Sequence, residues 1–200
     1  MKRCPNPTGA EGAIEIRPIF EAGDLGEGFT PELRSRSSAC GPRSMPKGLE
    51  SGHSLLTGNG ASTVRFMMLM IPKGYEKAAP GTAPDAAAVA RMMKYNESLQ
   101  KAGVLLALDG LHPPSMGARV SFPGGKPRVT DGPFTEAKEV LGGYWMIQVG
   151  SKEEAIQWAS RVPASENEVI EVRQVQELSD FPPEVQKVAA GFPDMQRRGS

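Results

Sequence analysis

The sequence predicts an α+β domain in which two strand–helix–strand units share one antiparallel sheet, and three observations carry that prediction. From Val64 onward, short apolar runs of strand length alternate with two stretches whose apolar residues recur at helical spacing. Turn residues, chiefly Gly and Pro, punctuate the junctions. Once a hairpin signal at Gly124-Gly125 is set aside, the order reads strand, helix, strand, strand, helix, strand. This is the ferredoxin-like βαββαβ arrangement, in which right-handed crossovers put both helices on one face of the sheet.

The first strand is Val64 to Ile71, apolar at almost every residue and closed by Pro72. Thr82-Ala83-Pro84-Asp85 has the chemistry of a helix start, with Thr82 as the cap. Val89, Met92, Met93, Asn96 and Leu99 form the inward stripe of that helix, and Lys101-Ala102-Gly103 ends it. Val104 to Leu108 is the second strand, and it runs into Asp109-Gly110-Leu111-His112-Pro113-Pro114, where two prolines stop a ladder. Ala118 to Phe122 and Pro127 to Thr130 flank the hairpin glycines. Asp131-Gly132-Pro133 is a turn in which Gly132 allows positive φ; Phe134 is expected to anchor beneath it, and Thr135 to Leu141 to make a helical turn or two. Tyr144 to Val149 is the third strand, Ser151 to Glu154 reads as a capping box before a helix burying Ala155, Trp158, Ala159 and Val162, and Val169 to Val175 is the last strand. Phe181 to Ala190 is expected to form a short C-terminal helix, and residues 191–200 a frayed tail.

Both faces of Val64 to Ile71 are apolar, so the helices cover one and something else must cover the other. A homodimer packed sheet against sheet is the simplest answer.

Residues 1–63 read as an extension and linker preceding the domain at 64–190. Ala13 to Phe20 alternates apolar with polar residues, although Pro18 confines such a strand to an edge, and Ser35 to Ser62 is rich in Ser, Gly, Pro and Arg. Ile14 to Leu25 aligns without gaps on Ile170 to Phe181, with Ile, Glu, Arg, Glu and Asp shared at five of twelve positions. The expectation is a largely unstructured, dispensable extension, at most a loosely held strand. It reads as the remnant of a tandem copy, or as the result of a start set upstream of a natural one near Val64. The alternative is that Ile14 to Phe20 adds to an open sheet edge or displaces Val169 to Val175 from its slot.

Composition excludes several classes of function. Twenty-three basic residues balance 23 acidic ones, which leaves no electrostatic footprint for nucleic acid or an anionic membrane surface. The longest apolar run, Phe66 to Pro72, is far short of the roughly 20 residues of a spanning helix. Met1-Lys2-Arg3 leads into Cys-Pro-Asn-Pro rather than an apolar stretch, so no secretory signal is expected and a cytoplasmic location is the default. Cys4 and Cys40 both precede the domain, no cluster has metal-ligand spacing, and no cofactor is expected.

Three segments carry a family resemblance: Phe66-Met67-Met68-Leu69-Met70, Asp109 to Pro114, and Asp131-Gly132-Pro133-Phe134-Thr135-Glu136-Ala137-Lys138-Glu139 leading into Gly142-Gly143-Tyr144. Together they resemble the DGPF branch of the YCII-related proteins over residues 64–190, and residues 1–34 resemble the C-terminal tail of a second such domain. The resemblance implies a dimeric α/β barrel, an activity that is mostly unassigned, and an association with extracytoplasmic-function sigma factors. Better-studied YCII proteins carry a His on the first helix, proposed to work with an Asp as an acid/base pair. Here that helix offers Tyr95 and Asn96 and no His.

Two functional readings follow. In the first, the domain binds a small molecule in a barrel cavity and performs proton transfer of a lyase or isomerase kind, with His112 as base or acid and Asp131 and Asp109 beside it. Tyr95, Asn96 and Trp145 would line the cavity, and Arg119 and Lys138 would hold an anionic group of the ligand. The bland alternatives stand beside each: Asp109 and Asp131 as turn formers, Asn96 as a satisfied core amide, the cations as solvated charges. In the second reading the domain is a non-catalytic regulatory partner.

Overall fold

The structure is a computed structural model and describes residues 12–21, 63–82, 84–134 and 140–192. Strands β1 (Ala13–Ile16), β2 (Val64–Ile71), β3 (Leu105–Gly110), β4 (Ala118–Ser121), β5 (Arg128–Asp131), β6 (Gly143–Val149) and β7 (Val169–Gln174) form two antiparallel sheets. Helices α1 (Ala86–Lys101), α2 (Lys152–Ala159) and α3 (Pro183–Ala190) complete the described architecture. The larger sheet has the order β3-β6-β2-β7, with β2 paired on both sides, which agrees with the βαββαβ expectation for β2, α1, β3, β6, α2 and β7. The smaller sheet, β1-β4-β5, holds the predicted hairpin, and Gly124 and Gly125 both adopt positive φ in its turn.

The core lies between the larger sheet and the helices. Phe66 and Met68 on β2 stand opposite Ile147 and Trp145 on β6, and all four pack with Tyr95 and Leu99 of α1 and Ala155 of α2. The strict alternation of strand side chains sends Met67 and Leu69 to the other face, opposite Met146 and Tyr144 on one side and Arg173 and Glu171 on the other.

Local chemistry accounts for the helix ends. Helix α1 begins later than expected. Asp85 rather than Thr82 is its cap, its carboxylate accepting from the Ala88 amide at 2.9 Å, while the Thr82 hydroxyl donates to the Ala79 carbonyl. A carboxylate one residue before the first turn can reach an orphan amide that a hydroxyl four residues away cannot. Ser151 caps α2 as predicted, accepting from the Glu154 amide at 3.2 Å. The Glu154 carboxylate reaches one residue further back, to the amide of Gly150.

The turn at Asp131-Gly132-Pro133 departs from expectation in two ways. Gly132 does not adopt positive φ; it is required by close approach, because a Cβ there would lie 1.8 Å from the Pro114 carbonyl oxygen. Phe134 is half-buried rather than a core anchor, with the Arg119 guanidinium 4.1 Å from its ring centre. The neighbouring prolines take the buried role, Pro113 and Pro114 both being buried together with His112. The helical turn expected over Thr135 to Leu141 falls largely outside the described residues, as does the tail after Phe192.

In the described part of the N-terminal segment, Ala13–Ile16 form a strand. Strand β1 pairs with β4 over four residues, Ala13 opposite Ser121 through Ile16 opposite Ala118, and Ile19 bridges to Leu111. It joins the edge of the hairpin sheet rather than the larger one. Regular pairing stops before Pro18, as the missing donor demands, yet the Pro18 carbonyl accepts from the His112 amide at 3.0 Å. Among the described residues no helix is long and apolar enough to cross a membrane.

Candidate functional site

The sequence-predicted residues fall into separate places. Asn96 and Trp145 meet in the core, where the indole N–H donates to the Asn96 side-chain oxygen at 2.8 Å, and the Tyr95 ring packs edge-on against Trp145. The Tyr95 hydroxyl donates to the Trp158 carbonyl at 3.0 Å, and burial raises its pKa. These three are polar groups satisfied inside the domain. Asp109 lies on the sheet face turned away from the helices and accepts from the Tyr144 hydroxyl at 2.5 Å. Burial first, and that hydrogen bond second, push Tyr144 up to about 12. Asp131 is exposed at the end of β5, opposite Ala118, and Lys138 lies outside the described residues.

His112 is 7% exposed, on the loop that leaves β3, and its surroundings come from the N-terminal segment. The Phe20 ring covers its imidazole with centroids 4.0 Å apart. The Phe20 amide donates to the Gly110 carbonyl, and the Arg17 guanidinium donates to the His112 carbonyl at 3.3 Å. Tyr75, in a 3-10 turn after β2, donates to the Leu111 carbonyl at 2.6 Å and so holds the same loop. Burial pushes Tyr75 up to about 12, with the Arg17 charge opposing the rise.

Arg17 itself is a residue that reading the sequence did not single out. Its side chain is 5% exposed, and burial lowers its pKa against the pull of Glu15 and Tyr75, with Arg119 adding to the lowering. Glu15 takes Arg17 at 3.0 Å with one oxygen and Arg119 at 2.8 Å with the other. Among the described residues, two guanidiniums thus share one carboxylate at the seam between β1 and β4. Gly117 makes room for this seam, since a Cβ there would stand 2.6 Å from both the Arg17 Cγ and the Ile16 carbonyl oxygen. Beside it opens a cleft of about 510 Å³ lined by Glu15, Ile16, Arg17, Leu111 and Leu141. The sequence signal that could have found Glu15 and Arg17 is their spacing of two, which puts both side chains on one face of a strand.

The fold and this site can be set against known proteins. The model of the YCII-related domain matches residues 64–179. The chain belongs to the YCII-related domain family. The match begins at the first residue of β2 and runs past β7, so the larger sheet, its two covering helices and the hairpin all belong to the YCII-related domain. Glu15, Arg17 and Phe20 lie before the matched residues. Among curated proteins none matches the chain.

Chemically, the site offers a desolvated cation beside an apolar cleft wall, a phenol held neutral, and an imidazole shielded by an aromatic ring. Two guanidiniums that share one carboxylate favour an anion over a neutral ligand.

Proposed function

We propose that this YCII-related domain binds a small organic acid, a carboxylate with an apolar body, in the cleft beside Arg17, and that His112 is the proton-transfer group of lyase- or isomerase-like chemistry on it. The observation that carries the reading is the nearly complete burial of the Arg17 side chain at a seam where Arg17 and Arg119 share only Glu15 among the described residues. Among the described residues the seam carries two guanidiniums and one carboxylate, the more buried cation being Arg17, and Leu111, Leu141 and Ile16 suit an apolar body. His112 follows Leu111 of the cleft wall, and the Phe20 ring lies against its imidazole. The regulatory alternative, association with sigma factors, has no observation in its favour.

Thermal shift with a panel of small carboxylates and their primary amides tests the binding step. The carboxylates are expected to raise Tm and the amides not, with about 2.7 kcal/mol of stabilisation at a hundredfold excess over Kd. Arg17→Met is expected to abolish the effect. Equal shifts from acids and amides, or an undiminished shift in Arg17→Met, count against it. For the chemistry, an acid that binds is incubated in D2O and followed by NMR. Exchange of the C–H proton next to its carboxylate should appear with the parent protein and vanish in His112→Gln.

We also propose that the open face of the larger sheet packs on a second copy, as a dimeric α/β barrel. That face carries Met67, Leu69 and Met146 at its centre, and Leu69 is already 8% exposed in the single chain. Sedimentation at micromolar concentration should show a dimer that dissociates in Met67→Glu; a parent protein that runs only as monomer refutes it.

A further inference from the structure

The N-terminal strand and the last strand of the domain share five of twelve aligned residues, and both are edge strands that carry the same Glu–Arg couple. Glu15 and Arg17 on β1 correspond to Glu171 and Arg173 on β7, and each Glu–Arg couple makes the same bond, Nε to Oε1, at 3.0 Å and 2.6 Å respectively. Ile14, Ile16 and Ile19 correspond to Ile170, Val172 and Val175. Both strands are edges, β1 of the hairpin sheet and β7 of the larger one.

Their environments differ, and the difference is informative. On β7 the Glu171 and Arg173 side chains are 39% and 66% exposed. On β1 the same couple meets a receptor: Arg119 opposite the carboxylate, the His112 carbonyl for the guanidinium, and Gly117 for close approach. Two further contacts use backbone atoms, the Pro18 carbonyl and the Phe20 amide, which Gln174 and Gln176 also possess, while the Phe20 ring over His112 has no counterpart in Gln176.

We infer that the edge of β4, with the His112 loop, is an acceptor for the last strand of a second copy of this chain, and that the N-terminal strand occupies it as a tethered substitute. In the same register Ile170 of the second copy stands opposite Val120, and Glu171 opposite Arg119. Strand β7 remains paired with β2 in its own domain and offers its other edge, so the contact is edge-to-edge addition rather than an exchange of elements. The charge code decides the register: a slip of one residue turns the carboxylate away from Arg119.

Two chains, both with Cys4→Ser and Cys40→Ser, test this by mixed disulfide formation. The acceptor carries Val120→Cys and Glu15→Arg, which sets two guanidiniums face to face and expels the tethered strand; the donor carries Ile170→Cys. Cross-linked heterodimer is expected at least fivefold above the level seen with Glu15 intact. It should fall back when Arg119→Glu is added to the acceptor, because that change restores the tethered pairing with reversed charges. No rise with Glu15→Arg, or a rise that Arg119→Glu leaves untouched, overturns the inference. Circular dichroism confirms folding, and Glu15→Gln replaces Glu15→Arg if the latter melts. As a second measurement, a labelled peptide of residues 168–178 should bind the Glu15→Arg chain at least tenfold more tightly than one with Glu171 and Arg173 interchanged; absence of binding or of discrimination refutes recognition of the strand.

Discussion

Replacing Trp145 by Ala is expected to cost the domain about 3–5 kcal/mol, enough to remove most of the stability of a single domain. The ring is 5% exposed and stands between Met68 on β2, Leu108 on β3 and Tyr95 on α1, so no neighbour can collapse into the space without moving a strand or a helix. A second loss accompanies the cavity. The Asn96 side-chain oxygen would be left buried without the indole N–H, a penalty of about 1–3 kcal/mol. Trp145→Phe separates the two, since it keeps most of the volume and removes only the donor. Urea melts should place Trp145→Phe between the parent and Trp145→Ala, and combining it with Asn96→Ala should be less than additive. If Trp145→Ala melted within about 1 kcal/mol of the parent, the ring would be a surface for ligand rather than part of the core.

The second large effect concerns alkaline pH. The chain has three tyrosines, and all three titrate high: Tyr75 and Tyr144 at about 12, Tyr95 higher still, each chiefly because burial disfavours the phenolate. A raised folded-state pKa means that the unfolded chain loses its protons first. The stability these groups contribute is therefore complete below pH about 10, the unfolded value, and is lost as pH rises toward about 12. Absorbance of tyrosinate near pH 11 should be almost absent in the folded protein and strong in urea. The midpoint of thermal unfolding should fall steeply over the same interval. A tyrosine that titrates near pH 10 in the folded protein would show that its hydroxyl is open to water, and Tyr144, the least enclosed, is the most informative to replace by Phe.

The elements of the larger sheet and both covering helices were legible because each has a period of its own. Phe66 and Met68 alternate with Met67 and Leu69, Tyr95, Asn96 and Leu99 recur on one helical face, and Ser151 announces α2. Local chemistry also placed the hairpin glycines and ended β1 before Pro18. The site was legible only in part. His112 stood out by its chemistry. Its neighbours did not, because Glu15 and Arg17 lie nearly a hundred residues away from it in a segment that reads as an extension preceding the domain.

What the sequence by itself determined is the set of elements and the faces they bury, since side-chain period and turn chemistry are properties of a few consecutive residues. What only the tertiary structure decided is which polar groups meet. It directed the Asn96 amide to Trp145 and Asp109 to Tyr144, left Asp131 exposed, and gave Arg17 and Arg119 a single shared carboxylate among the described residues. The N-terminal strand shows the division most clearly. Its alternation declared a strand, but its partner was set by an Arg on β4, a loop carbonyl and a glycine with room for a side chain to pass. Pairing of strands far apart in sequence depends on charge and shape at a surface that exists only once the domain has folded.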